Sequence, residues 1–395
     1  MTTRRLVLAR SAAVIGAAST SLLLPEIVRA QSNKVRLGFM LPYSGAYGQI
    51  GLTIENGFRM ALEEAGGKLG GREIEFFKVD DESDPPKGIE NANKLVLRDK
   101  VDVLIGTVHS GVQMGIQRVA RETGVLNIIP NAGAHAATRA LCAPNVFRTS
   151  FTNCQPTLAL GKPMVDKGLK KAVWITWKYT AGDEAFEGFR DSYTAAGGTI
   201  IKELGLPFPN VEFQALLTEI AALKPDAVAC FFAGSGAAKF IKDYAAAGLK
   251  AKIPLYGSGF LTEGVLDAAG PAADGILSTL HYSDSLDTPR NRQFRLNFAK
   301  TFKMQPDVYT VQGYDAGLLL TQAANAVKGD LSNKKALYAA MEGATIDSPR
   351  GKWTMSKSHN PIQDMYLRMA DKGENKVVGI AAKQLADPGV GCRMA

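Results

Sequence analysis

The chain has 395 residues, 46% of them apolar and 21% charged, with a formal net charge of +8. That length suits two globular domains, and the composition is that of an ordinary folded protein. The basic excess is scattered and never forms a stripe interleaved with aromatics, which argues against nucleic acid as a partner.

Residues 1–30 read as an export signal. Arg4, Arg5 and Arg10 precede an apolar stretch from Ala12 to Leu24, and Val28-Arg29-Ala30 before Gln31 fits a small-residue cleavage site. Thr3-Arg4-Arg5-Leu6-Val7-Leu8 is similar to a twin-arginine signal, with Ala9 as a departure, so a general secretory route stays open. After this segment no apolar run is long enough to span a bilayer.

Beyond the signal, strand-like and helix-like runs alternate. Val35–Leu41, Arg72–Asp80, Val101–Ile105 and Val125–Ile129 are apolar strands separated by helical patterns such as Leu52–Ala65 and Lys87–Arg98. The pattern repeats from about residue 148, with strands at Ala172–Trp177, Asp226–Phe232, Ile253–Tyr256 and Gly275–Leu280. Two βα blocks imply two parallel sheets covered on both faces. The end of the chain adds three helices and then strand-like runs at Arg350–Met355, Gln363–Met369 and Lys376–Ala382.

The most informative stretch runs from Val101 to His135. Each of its two strands ends in small polar residues: Thr107, His109, Ser110 and Gly111, then Asn131, Ala132 and Gly133. Ser110 sits where a helix N-cap is expected. The free amides and positive dipole of a helix start suit a carboxylate, and ligands of open α/β sheets bind at the carboxyl ends of strands.

The four cysteines are Cys142, Cys154, Cys230 and Cys392. Cys230, inside the run AVACFF, is expected as a buried thiol. Cys142 paired with Cys154 and Cys142 paired with Cys392 both remain open. No cysteine–histidine spacing suits a metal, and no cofactor is expected. Nucleophile-elbow, zinc-protease and phosphate-loop motifs are absent, the four histidines are dispersed, and the Gly66–Gly71 cluster follows a helix. An enzyme is therefore not expected.

Several stretches together resemble a family. FMLPYSGAYGQIGLTIENG (39–57), DVLIGTVHS (102–110), VLNIIPNA (125–132), the segment 255–275, DVYTVQGYDAG (307–317) and SPRGKW (348–353) are similar to the periplasmic solute-binding proteins of ABC importers, type I branched-chain amino-acid class. The resemblance implies an α/β fold of two doubly wound parallel-sheet lobes joined by three crossover segments. It implies lobe one at 34–148 plus 282–347, lobe two at 149–281 plus 348–385, and a C-terminal tail at 386–395. It implies a periplasmic protein that closes on a small molecule and delivers it to an inner-membrane ABC permease; the oligomeric state is open, and a monomer suffices for that role.

Carried onto this chain, the resemblance places the ligand carboxylate at Ser110 and at Asn131, Ala132 and Gly133. The tyrosine of the family's first loop aligns with Ile50, although Tyr43 and Tyr47 lie close by. The glutamate that binds an amino-acid ammonium falls on Gly259, with Glu263 four residues on. Rings at His109, Trp177, Tyr179 and Phe260 fill out the candidate set, and Ser235 joins it. A buried ammonium without a carboxylate is costly, so the expected ligand is a small carboxylate without an α-amino group, an aromatic acid or aryl keto acid. A branched-chain or other amino acid is the alternative ligand, and a ligand sensor feeding a receptor the alternative role. Plainer roles are open to each candidate: Ser110 as a cap, Trp177 as core, Asn131 as a turn residue, Tyr43 and Tyr47 as loop packing. Arg350 is expected as a crossover salt bridge.

Overall fold

The computed structural model describes residues 34–394, so the export signal expected at 1–30 lies outside the described residues. In chain order the first elements are β1 (Lys34–Leu41), α1 (Gly48–Glu64), β2 (Glu73–Asp80), α2 (Pro85–Asn93), β3 (Val103–Gly106), α3 (Ser110–Thr123), β4 (Leu126–Ile129), α4 (His135–Thr138) and β5 (Val146–Arg148). Next come α5 (Cys154–Leu158), α6 (Gly161–Asp166), β6 (Lys171–Lys178), α7 (Thr180–Ala195), β7 (Thr199–Pro207), α8 (Gln214–Leu223), β8 (Ala227–Phe231), α9 (Gly234–Ala246), β9 (Leu255–Ser258), α10 (Leu266–Ala269) and β10 (Leu277–Leu280). The last are α11 (Pro289–Phe302), α12 (Val308–Ala326), α13 (Lys334–Glu342), β11 (Thr345–Ser348), β12 (Gly351–Met355), β13 (Pro361–Asp371) and β14 (Glu374–Leu385).

The first sheet runs β2-β1-β3-β4-β5, parallel throughout. Its inner strands β1, β3 and β4 are almost wholly buried, as their apolar runs require. The second sheet repeats that order as β7-β6-β8-β9-β10, again parallel, and then extends antiparallel through β13, β12 and β11, with β14 on β13. Thus the strand-like runs near the end of the chain complete an existing sheet. The helices between β10 and β11 return to the first sheet, where α12 packs on α1.

That helix pair approaches closely because glycines face backbone on both sides. A Cβ on Gly57 would stand 2.0 Å from the Thr310 carbonyl oxygen, and one on Gly313 1.9 Å from that of Ile54. Asp307 caps α12, its side chain accepting from the Thr310 amide while the Thr310 hydroxyl accepts from the Asp307 amide. The capped end carries Tyr309 in its first turn.

Local differences from the expected pattern have simple causes. The cap of α3 is His109, whose Nδ1 accepts from the Gly111 amide, so Ser110 is the first helical residue and its hydroxyl is free for other bonds. The helix expected over Leu158–Lys167 is broken into α5 and α6. The short strands β5 and β11 carry too few residues to show a period. Cys142 pairs with Cys392 and Cys154 stays a buried thiol, like Cys230. The disulfide, with the Arg139–Asp387 ion pair, ties the C-terminal tail to the loop after α4. Arg350 is buried and paired with Asp315 at 2.9 Å, as expected.

Candidate functional site

In both sheets the strand order reverses between the first and third strands of the block, β1/β3 in one and β6/β8 in the other. Such reversal points open a crevice at the carboxyl ends of the strands. A cavity of about 20 Å³ lies where the two crevices face each other. Tyr47 and Ile50 come to it from beyond β1, Val108 from beyond β3, and Asn131 and Gly133 from beyond β4. Tyr179 and Ala181 come from beyond β6, Phe231 and Ala233 from the end of β8, and Phe260 from beyond β9. Phe151 and Asn153, just past β5, and Tyr309 of α12 complete the wall.

Six of the thirteen residues in the wall are aromatic. Phe151 and Phe260 lie 4.7 Å apart between centroids, and Phe260 stacks on Tyr309 at 5.9 Å. Tyr179 is stacked on His109 at 4.7 Å and meets Phe208 at 5.1 Å. The hydroxyls of Tyr47 and Tyr179 are 2.8 Å apart and bridge the loops of the two sheets. Burial raises the pKa of both, so they stay protonated and neutral. The hydroxyl of Tyr309 is buried without a hydrogen-bond partner.

No lining residue carries a formal charge. The polar groups are held from behind. Asn131 Nδ2 donates to Gln312 Oε1 at 2.6 Å, and Gln312 Nε2 is 3.2 Å from His281 Nε2. Asn153 Nδ2 donates to Ser110 Oγ at 3.1 Å and to Glu184 Oε2 at 2.7 Å. Both Glu184 oxygens lie 3.0 Å from the His135 amide, so this second-sheet helix residue also grips the first-sheet layer. Burial pushes the Glu184 carboxyl up to about 7. Behind the 132–134 loop lies Arg148, fully buried, its guanidinium donating to the carbonyls of Ala132 and Ala134 and to Thr138 and Asn360. Burial lowers its pKa only to about 10, so it remains a cation, one that hydrogen-bonds neutral acceptors beside the cavity.

Of the residues singled out from sequence, Tyr47, Ile50, Asn131, Gly133, Tyr179 and Phe260 meet at this cavity. The others stand away from its wall. Tyr43 packs against the core away from the cavity, donating to the buried Glu55 at 2.7 Å with Lys78 over its ring. Trp177 stands edge-on behind Tyr47 and donates to the Asn210 carbonyl, so its ring is core. His109 backs Tyr179; burial lowers its pKa to about 4, which keeps it neutral. Ser110 lies one hydrogen bond behind the wall at Asn153, and Ala132 has its amide bonded to Thr107 and its carbonyl to Arg148. Ser235 is exposed in the first turn of α9. Gly259 makes room for Arg368: a Cβ there would sit 2.5 Å from Arg368 Nη2.

Glu263, the acid nearest Gly259 in sequence, is committed elsewhere. It forms a buried ion pair with Arg368 and accepts from the Val308 amide at 3.1 Å. The sequence reading missed Val108, Phe151, Asn153, Ala181, Phe231, Ala233 and Tyr309. Phe231 and Ala233 follow from the rule that strand ends line the crevice. Asn153 and Phe151 lie in a segment without periodicity, so only the structure places them. Tyr309 lies in the family-like stretch 307–317, but only the start of its helix, not its place in the wall, is readable from the Asp307-x-x-Thr310 cap.

A family model described as periplasmic binding protein matches residues 34–375. A solute-binding protein of an ABC transporter from R. palustris, crystallised with benzoate, is 53% identical with a TM-score of 0.89, covering 91% of this chain and 99% of that one. A solute-binding protein from Rhodopseudomonas palustris BisB5, crystallised with 3,4-dihydroxybenzoic acid, is 28% identical with a TM-score of 0.85, covering 90% and 99%. Leu/Ile/Val-binding protein homolog 6 of Brucella melitensis biotype 1 is 29% identical over 373 residues, 91% of this chain and 95% of that protein.

Proposed function

The chain belongs to the periplasmic binding protein family, and from that premise we propose that it captures a small aromatic carboxylate and delivers it to an ABC permease. The observation that carries the ligand class is the make-up of the cavity wall: many rings, neutral polar groups and no acid. An amino-acid ligand would bury an ammonium there with no carboxylate to meet it, since Glu263 is held by Arg368. A carboxylate meets a better environment. The Arg148 cation lies behind the 132–134 loop, and α3 begins at Ser110, one hydrogen bond behind the wall at Asn153. The rings supply apolar area and favour offset or edge contacts with an aryl ligand. The R. palustris relatives crystallised with benzoate and 3,4-dihydroxybenzoic acid support the same reading.

The mechanism is hinge closure. Lobe one (34–148 plus 282–347) receives the carboxylate, and lobe two (149–281 plus 348–385) closes with its rings. The Tyr47–Tyr179 bond and the Glu184 grip on the His135 amide then join the lobes. Ligand contacts made only in the closed form shift the open–closed equilibrium toward it. Export uses residues 1–30, by a twin-arginine or general secretory route, and the working unit is a monomer.

The test is a thermal-shift and calorimetric panel on the purified protein. It includes benzoate, 4-hydroxybenzoate, 3,4-dihydroxybenzoate, phenylpyruvate, benzamide, leucine and valine. Aromatic carboxylates should raise the melting temperature, because a ligand binding only the folded state stabilises it by mass action. Benzamide, leucine and valine should not. A shift with leucine or valine and none with the aromatic acids overturns the reading.

A further inference from the structure

Two rings singled out from the sequence, Trp177 and His109, stand behind the cavity wall, and one residue touches both. Phe208 opens the connection from β7 to α8 and is not itself part of the wall. Its ring centroid is 5.1 Å from that of Tyr47, 5.0 Å from His109, 5.0 Å from Trp177 and 5.1 Å from Tyr179. The four partners divide evenly. Tyr47 and His109 follow strands of the first sheet, while Trp177 lies at the end of β6 in the second and Tyr179 just past it. Phe208 is half-buried and the next residues, Pro209 and Asn210, are exposed, so the ring covers the Tyr47–Tyr179 bridge from the solvent side.

The ring is fixed to one layer and only pressed against the other. Trp177 Nε1 donates to the Asn210 carbonyl at 2.7 Å, the Asn210 amide donates to the Pro207 carbonyl at 2.8 Å, and Asn210 Oδ1 accepts from the Glu212 amide at 2.8 Å. All three bonds stay within the second-sheet layer. Trp177 is itself immobilised: it is fully buried, it stands edge-on to Phe232 at 5.3 Å, and a Cβ on Gly236 would lie 2.3 Å from its ring. Among the described residues the 208–212 turn makes no hydrogen bond to the first-sheet layer, and its ring contacts there are Tyr47 and His109.

We infer that Phe208 is the latch of the closed form: it travels with the second-sheet lobe, seats on Tyr47 and His109 as the lobes close, and so sets how long a bound ligand stays. This rests on the hinge-closure reading proposed above. It also gives a role to two rings that the cavity leaves without one, since Trp177 anchors the latch and His109 receives it. Burial keeps His109 neutral, so the latch closes on an uncharged ring. On opening, the contacts to Trp177 and Tyr179 persist and those to Tyr47 and His109 are lost. Contacts made only in the closed form favour it and slow release without touching the ligand.

Benzoate association and dissociation are followed by stopped-flow in the wild type, Phe208→Ala and Phe208→Leu. Phe208→Ala should release benzoate about tenfold faster, the scale of two lost ring contacts, with association little changed. Phe208→Leu, which keeps apolar bulk without the ring, should fall between. Because Phe208 does not reach the ligand, benzoate and 4-hydroxybenzoate should lose by the same factor. A packing role alone lowers the ligand-free melting temperature and leaves the release rate unchanged, and that outcome overturns the inference. So does a loss confined to association, or one that differs between the two ligands. If the variants do not fold, the wild type decides: amide exchange in the 208–212 turn should slow when benzoate binds, and unchanged exchange overturns the latch. Absence of benzoate binding by the wild type instead overturns the aromatic-carboxylate reading, and the latch then stands or falls by the same rates with leucine or valine. No binding of any of them overturns both.

Discussion

Two glutamates flank the cavity, and the molecule treats them differently. Glu263 is 4% exposed and faces a full cation, Arg368, with the Val308 amide and Asn375 Nδ2 as further donors. Arg368 donates also to the carbonyls of Tyr282 and Gly259 and to Ser278 Oγ, all from its two terminal nitrogens. Glu184 is 15% exposed and hydrogen-bonds neutral donors only, an amide and an asparagine. Glu263 is a paired strut: burial pushes its carboxyl up to about 7, Arg368 opposes that rise, and removing the cation strands the group. Burial pushes Glu184 up to the same value, but what opposes it is chiefly neutral donors, so no fixed partner charge holds it ionised.

The largest expected effect breaks the first half of that comparison. Arg368→Met leaves Glu263 buried without its cation, at a cost of about 3–5 kcal/mol. Denaturant unfolding should show that loss. A loss under about 1 kcal/mol would mean that Glu263 takes up a proton cheaply and is no strut. The double variant Arg368→Met with Glu263→Leu should recover part of the stability, since a buried pair can be replaced by apolar groups with little penalty.

The next effect sharpens the second half. The folded pKa of Glu184 lies at about 7, above its ordinary value of 4.5. The folded state thus holds a proton that the unfolded chain has released. Between those two values stability falls as pH rises, because fewer protons are bound in the unfolded state. Glu263, raised by burial to about 7, and Asp81, raised to about 6, contribute in the same direction, so the informative quantity is the difference between wild type and Glu184→Gln. The wild type should lose roughly 2 kcal/mol more than the variant between pH 5 and pH 7.5. Parallel curves would mean that Glu184 stays ionised throughout.

The contrast between these glutamates also marks how far the sequence could be read. The strand runs, the repeat of the βα block and the family stretches led to the two-sheet fold, because buried parallel strands must be apolar and bounded. Ser110, Asn131 and Gly133 followed from the rule about strand ends. The match at Gly259 showed that an ammonium-binding acid was missing, but not what replaced it. Arg368 comes from β13, more than a hundred residues later, and nothing local links it to Gly259. Glu184 carries no distinguishing mark in the sequence, and its partners Asn153 and Ser110 come from two distant segments. Tyr43 and Trp177 show the opposite error. Ring type was legible, but the face of the loop or strand on which each ring falls was not, and both turned from the ligand side. The cysteine pairing was open for the same reason: Cys142 and Cys392 are 250 residues apart and meet only once β14 has carried the tail back.

Tyr309 offers the smallest effect and a third condition beside the two glutamates: a buried polar group with neither cation nor donor to match it. Its hydroxyl is 2% exposed by residue and unpartnered, and its ring is stacked on Phe260. A buried hydroxyl without a partner costs about 1 kcal/mol or more. Tyr309→Phe keeps the ring and removes that cost, so the ligand-free protein should gain about 1 kcal/mol and melt higher. If the hydroxyl serves a polar substituent on the ligand ring, the same change should weaken 4-hydroxybenzoate more than benzoate. Higher stability with a selective loss of the hydroxylated ligand would identify an unmatched group held for the ligand. Lower stability in the variant would show that the hydroxyl is already satisfied within the protein, and the contrast with Glu184 would then rest on charge alone.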